Sequence, residues 1–340
     1  MKPTDFAVQL SRYLGSYLPG QSGYSTNTVC SYRDTFTLFL RFCRDERHLP
    51  PQKLTLACID RHLIEAFLQW LETDRACSAA TRNIRLAAIH AFYKYLQIEA
   101  PHMLDRCQDI LSIPYKKAQQ KIMSYLTLDE TQTLLSQPDA CSPSGRRDLT
   151  LLCLLYDTGA RVQELADLKV GDVRFSSPTV IRLTGKGRKS RLVPIMVRTE
   201  KLLRTYLEEY DPDYTAHAGY PLFCNRDGRK LTRAGIAYIL KKYVSQARAN
   251  GGIPIQTTVS PHVLRHSKAM HLLQSGVNLV YIRDLLGHAD ISTTEIYARA
   301  DEQLKRKALL EAYPSPSPEP ETPAWQKDND LLSWLKSLGK

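Results

Sequence analysis

The chain of 340 residues contains no apolar run long enough to cross a bilayer. Its longest runs are of the kind seen at 149–156 (LTLLCLLY), far short of the roughly 20 residues a spanning helix needs. The opening MKPTDFAVQL has no sustained apolar core, so neither a secretory leader nor a transit peptide is expected, and a cytoplasmic location is the default expectation. No two of the eight cysteines lie two or four positions apart. That excludes zinc-knuckle spacing, and without a leader the cysteines read as reduced thiols. Acidic residues are in deficit: 35 Asp and Glu face 46 Lys and Arg, a formal charge of +11. An excess of this size suits a polyanionic partner, with nucleic acid first among them, although a merely basic soluble protein has the same balance. Internal repeats are absent.

At 43% hydrophobic residues the chain can bury substantial cores, and its length suits two domains. Periodicity of 3.6 residues runs through the first ~110 positions, at 25–47, 58–74 and 78–98 among others, and predicts a bundle of four helices. Arg82 and Arg85 share a face near the start of the last of these. Cations are poorly placed there against the helix macrodipole, so the pair reads either as a DNA-phosphate contact or as solvated surface. The polar, basic stretch SIPYKKAQQK at 112–121 reads as a linker. TLDE at 127–130 has the form of a capping box that opens a new helix. Two short β-like runs, 179–184 and 190–195, flank a GKGRK turn and predict a small hairpin. Further helices are expected at 199–210, 232–249, 261–274 and 279–286, whereas the polar residues between His288 and Tyr297 read as a positioning element. PSPSPEPETP at 314–323 excludes regular structure. Beyond it Leu331, Leu332, Leu335 and Leu338 fall on one helical face with Trp334 at its edge, an amphipathic helix in need of a groove.

Four basic segments stand out between 158 and 300. Arg161 follows a glycine at the entry to a helix, where it can pair with Glu164. Lys186, Arg188, Lys189 and Arg191 crowd the hairpin turn with no acid among them. His262 and Arg265 share a face of a helix that Pro261 can start. His288 and Tyr297 lie nine positions apart. His262 and His266 have the spacing of a metal pair, but Arg265 between them repels a dication and no third ligand completes a site, so no metal is expected. Together these residues suit phosphoryl transfer on a polyanion: arginine forks hold the non-bridging oxygens, a lysine protonates the leaving oxygen, and a tyrosine attacks.

The run ARVQEL, TGKGRKSRLVP, SPHVLRHSKAMHLLQSG and IRDLLGHADISTTEIYARA closely resembles the tyrosine recombinase (phage-integrase) family, including its Xer-like and transposon-borne members. TRNIRLAAIHAFYKYL at 81–96 resembles, more loosely, the family's helical core-binding domain. The resemblance implies a mainly α fold with a small β-hairpin or sheet. It divides the chain into a helical SAM-like DNA-binding domain at 1–111, a linker at 112–123, a mixed α+β catalytic domain at 124–313, and a proline leash with a terminal helix at 314–340. By position it implies that Arg161 and Arg265 clamp the scissile phosphate and that Lys186 is the general acid. His262 assists proton transfer, in the role often assigned to the general base. His288 bonds the phosphate or the nucleophile's surroundings, and Tyr297 is the nucleophile. Arg82, Arg85, Arg188 and Lys189 are candidate DNA contacts, and Glu164 is a structural partner for a basic residue.

The implied activity is site-specific cutting and rejoining of double-stranded DNA through a 3′-phosphotyrosyl link. It uses no cofactor, neither metal nor ATP, and serves the integration or excision of a mobile element. The implied assembly is a homotetramer joined by exchange of the terminal helix through Leu331, Leu332, Trp334, Leu335 and Leu338, with other recombinases of the same element as further partners. No arm-binding domain is expected ahead of the bundle. The alternatives are a relaxing enzyme of the type IB topoisomerase kind and a non-catalytic DNA-binding protein of the same fold.

Overall fold

The computed structural model describes residues 2–118, 123–185, 187, 189–210, 213–250, 255, 258–288, 290, 292–300 and 335. The chain divides into two compact units, Met1–Lys121 and Ile122–Lys340. Among the described residues no helix is long and apolar enough to cross a membrane.

In the first unit, α1 (Asp5–Arg12) runs into a π-helical segment, Tyr13–Gln21, and is followed by α2 (Thr26–Asp45), α3 (Arg61–Thr73), α4 (Ala79–Glu99) and α5 (Leu104–Leu111). The sequence announces most of these starts, because Thr4, Ser25, Asp60 and Ser78 each accept a hydrogen bond from a first-turn backbone N–H. Among its described residues the unit thus has five α-helices and a π-helical segment where periodicity predicts four helices. The eight-residue α1 and α5 are too short for a 3.6-residue period to stand out. Phe36, Phe39, Phe42, Phe67 and Phe92 fill the core, with Phe6 edge-on to Phe92.

The second unit opens with α6 (Leu128–Leu135), and the expected capping box is formed: Thr127 Oγ1 accepts from Glu130 N–H while Glu130 returns a bond to Thr127 N–H. Then come α7 (Pro143–Thr158), α8 (Val162–Ala166), the strands β1 (Val173–Arg174), β2 (Val180–Thr184) and β3 (Ser190–Pro194), and α9 (Val197–Tyr210), α10 (Arg233–Ala249), α11 (Pro261–Gln274), α12 (Leu279–Leu286) and α13 (Ser292–Ala300). The fold is mainly helical with one small antiparallel sheet, ordered β1-β2-β3. The predicted hairpin is present, paired from Val180↔Pro194 to Thr184↔Ser190. The third strand, β1, has two residues and leaves no readable alternation. Of the polar stretch before Tyr297, read from sequence as a positioning element, residues 292–296 lie in helix α13. Leu151, Leu155, Leu165, Leu183, Leu240 and Leu264 belong to one core that joins the sheet to the helices around it.

The start of this unit is fastened to α11 by two side chains. Ser267 Oγ accepts from Leu126 N–H at 2.8 Å, and His271 Nε2 donates to the Leu126 carbonyl at 2.8 Å. His271 Nδ1 then takes a bond from Tyr156 on α7, so one imidazole ties α7, α11 and the entering chain together.

Candidate active site

Helix α7 ends on Gly159 in the left-handed region, φ +55°. A Cβ there would stand 2.8 Å from Leu286 of α12, so glycine permits both the turn and the close approach. Two residues on, Arg161 caps α8 with extended backbone. Glu164 holds it twice: Arg161 N–H donates to Oε2 at 2.9 Å and Nη1 donates to Oε1 at 2.8 Å. The other terminal nitrogen of Arg161 donates to the Gly287 carbonyl at 3.3 Å, and about a third of the side chain stays exposed.

Arg191, on β3, grips the same carboxylate, with Nη2 donating to Oε2 at 2.8 Å and Nη1 to Oε1 at 3.2 Å, while Nε donates to the Leu285 carbonyl at 2.7 Å. Burial pushes the Glu164 carboxyl up, but its bonds from Arg191 and Arg161 outweigh that and hold it at about 2. Gly287 ends α12 at φ +66°, and a Cβ on it would meet the Arg191 guanidinium at 2.8 Å.

Arg265 comes from α11, which Ser260 caps and Pro261 begins as the sequence predicts. It is 3% exposed and reaches two helix ends at once, donating to the Gly159 carbonyl and the Leu286 carbonyl, each at 2.7 Å. Burial lowers its pKa to about 10, with the neighbouring Arg161 acting in the same direction, so it stays cationic at neutral pH. Arg161, Arg191 and Arg265 thus gather around one carboxylate. Beside them lies a cavity of about 750 Å³ lined by Arg161, Lys189, Arg191, Arg283, Gly287 and His288 among others. A phosphodiester is the natural complement of such an excess of fixed positive charge.

Tyr297, on α13, is 1% exposed and packs among Met270, Leu273, Ile282 and Leu286. Its hydroxyl is hydrogen-bonded to His266 Nδ1 at 3.0 Å. Its ring lies nearly parallel to His288, the planes 7° apart. Burial raises the Tyr297 pKa, and the charges of Arg265 and Arg161 oppose that rise. The His288 pKa is depressed to about 4 by burial and by Arg265, Arg161 and Arg191, so the ring is neutral at physiological pH. Its Nδ1 is 2.9 Å from the Thr294 hydroxyl. With Thr294 donating there, Nε2 carries the proton and can donate to an anion in the cavity.

The structure therefore brings Arg161, Arg265, His288 and Tyr297 together. His262 is exposed, one turn before His266 on α11. Lys189 lines the cavity. Lys186, Arg188, Leu331, Leu332, Trp334 and Leu338 lie outside the described residues, and Leu335 is helical and about half exposed. Arg82 and Arg85 are folded inward. Arg82 is 6% exposed and donates to the Pro114 carbonyl, while Arg85 donates to Thr35 Oγ1 at 3.0 Å and to the Ser31 carbonyl. Glu164 is the structural partner it was expected to be. The sequence places Arg191 among the hairpin cations without its partner, which is 27 residues away, and offers His266 only as half of a rejected metal pair. Among the described residues no group of three or more His, Cys, Asp or Glu side chains is placed to hold a metal ion.

Comparison with known proteins gives matches over both units. Residues 124–303 match the Phage integrase family, and residues 10–100 match the Phage integrase, N-terminal SAM-like domain. The chain is 36% identical over 337 residues to y4rC, an inferred integrase/recombinase of Sinorhizobium fredii, covering 99% of each protein. It is 33% identical over 308 residues to the tyrosine recombinase XerD of Staphylococcus epidermidis, covering 90% of this chain and 98% of the relative. Among solved structures, the Tn1549 transposon integrase in complex with transposon right end DNA superposes with a TM-score of 0.68 at 14% identity, covering 89% of this chain and 99% of that one. The XerH site-specific recombinase in a post-cleavage complex with palindromic difH substrate gives 0.63 at 22%, covering 90% and 95%. At these identities the two structures speak for the fold.

Proposed function

The chain belongs to the phage integrase family and is a tyrosine site-specific recombinase, and from that premise we propose that it cuts and rejoins duplex DNA by attack of Tyr297 on a phosphodiester held between Arg161 and Arg265. The observation that carries this reading is the placing of Arg265. A buried guanidinium, anchored by two helix-end carbonyls, is a fixed charge that needs no rearrangement as negative charge builds on the phosphorus oxygens. His288 supplies a neutral donor beside it, while the family resemblance points to His262, exposed on α11, as an aid to proton transfer. Lys186 protonates the departing 5′-oxygen. The 3′-phosphotyrosyl bond conserves the energy of the broken link, so a second 5′-hydroxyl can reseal it without ATP or a metal.

The DNA served is the end of a mobile element, in integration or excision, and the working assembly is a homotetramer joined by exchange of the terminal helix, to which the exposed Leu335 belongs. Other recombinases of the same element are proposed as further partners. Lys189 and Arg188 at the hairpin turn contact the DNA backbone.

The test begins with a duplex selected by the full-length protein from a random-sequence library. A nicked version of that duplex, which on cleavage loses the short fragment carrying the freed 5′-hydroxyl, traps a detergent-resistant protein–DNA adduct with the wild type. Tyr297→Phe binds the duplex equally well and traps none. An adduct formed by Tyr297→Phe removes Tyr297 as nucleophile. Joining of the trapped strand to a second duplex marks a recombinase, whereas resealing alone marks a topoisomerase.

A further inference from the structure

We infer that His266, rather than His262, takes the proton from Tyr297 during attack; the inference rests on the reading of Tyr297 as nucleophile. A phenol raised above its usual pKa by burial cannot supply phenolate unaided, so a proton acceptor must touch its oxygen. Among the described residues the hydroxyl's one recorded hydrogen-bond partner is His266 Nδ1, at 3.0 Å. His262, one turn away on the same helix, is exposed, whereas His266 is half-buried beside the tyrosine ring.

The groups facing His266 are His262 and Arg265 on α11, His288 ahead of α13, and Tyr297 itself. Burial first, then His262 and Arg265, lower the His266 pKa, so the ring is neutral at physiological pH and Nδ1 is free to accept. In the step, the Tyr297 oxygen bonds to phosphorus and the phosphorus–5′-oxygen bond breaks. The phenolic proton passes to His266 Nδ1, and the leaving oxygen takes a separate proton from Lys186. On resealing, His266 returns its proton to the tyrosine. The arriving phosphate also counts, because its negative charge favours the imidazolium that forms next to it.

The test separates acceptance of a proton from mere positioning. Asparagine places an oxygen near the site of Nδ1 and can accept the hydroxyl's hydrogen bond, but it takes no proton at neutral pH. On the selected nicked duplex, His266→Asn should form adduct about 100-fold more slowly than the wild type, with unchanged DNA affinity and melting temperature. A fluorinated tyrosine at position 297, a stronger acid, should then restore about tenfold in His266→Asn and leave His262→Asn unrescued. An undiminished rate in His266→Asn overturns the proposal, as does equal rescue in both histidine variants. A wild type that forms no adduct removes the recombinase reading itself, and this proposal with it.

Discussion

Both units bury arginines against backbone carbonyls, yet the two sets do different things. In the helical unit, Arg82 and Arg85 close gaps: one ties α4 to Pro114, the other ties α4 to α2 through Ser31 and Thr35. In the second unit, Arg161, Arg191 and Arg265 converge, near enough for Arg161 to depress the pKa of Arg265. Convergence of like charges is unfavourable, and the fold supports it with one carboxylate and four carbonyls, those of Gly159, Leu285, Leu286 and Gly287. A solitary buried arginine is explained by its hydrogen bonds. A cluster that stays net positive after its bonds are counted is explained by an anion that arrives later.

Removing Arg265 should produce the largest effect. Arg265→Ala is expected to slow adduct formation by about 10²–10³-fold, the usual loss for one preorganised donor at a developing charge. Affinity for the selected duplex should change far less, since most binding comes from other phosphate contacts. A parallel measurement needs no DNA: inorganic phosphate should raise the melting temperature of the wild type and fail to do so in Arg265→Ala. Equal losses of binding and cleavage would make Arg265 a plain phosphate anchor rather than a donor tuned to the developing charge.

Glu164 is the next point at which to press. Its folded pKa of about 2 lies below the ordinary carboxylate value of 4.5, so its contribution to stability is complete above pH 4.5 and is lost as pH falls through about 2. Glu164→Gln should flatten the acid dependence of stability across that window. At neutral pH it should cost about 3 kcal/mol, the lower end for breaking a buried pair, because Arg161 is a third exposed. Urea unfolding followed from pH 7 to pH 2 measures both, and an unchanged acid limb would mean that Glu164 does not balance the cluster.

How much of this could be read from the chain depends on where each interaction closes. Helices α11 and α12 were legible to the residue, because Pro261 marks one start and Gly287 one end. The capping box at Thr127 was legible because it closes within three residues. Helix α13 was not: buried Thr294 turns a polar residue inward to His288, which hides the apolar period. At the site, local motifs and the family resemblance pointed to Arg161, Arg265, His288 and Tyr297, which the fold brings near one another. The pairing of Arg191 with Glu164 and of His266 with Tyr297 spans 27 and 31 residues, and no spacing rule reaches that far. Arg82 and Arg85 pose the converse problem: two cations on one helix face suggest an anion, and no spacing rule shows that carbonyl and hydroxyl oxygens of the same unit already bond them.

The smallest effect is expected at Arg85, and it returns to the comparison from the other side. Arg85→Ala removes bonds to the Ser31 carbonyl and to Thr35, but the Thr35 hydroxyl still donates to that carbonyl at 3.0 Å, so no buried donor is stranded. The expected cost is about 1 kcal/mol, seen as a fall of a few degrees in melting temperature, with the adduct rate per folded molecule unchanged. Were Arg85 instead a phosphate contact, the variant would fold as well as the wild type, and its DNA affinity would fall with salt on a slope shallower by about one. Measuring melting temperature and salt slope on the same variant decides whether a basic pair in the helical unit is a fastener or a contact, and the stabilising bonds already in place favour the fastener.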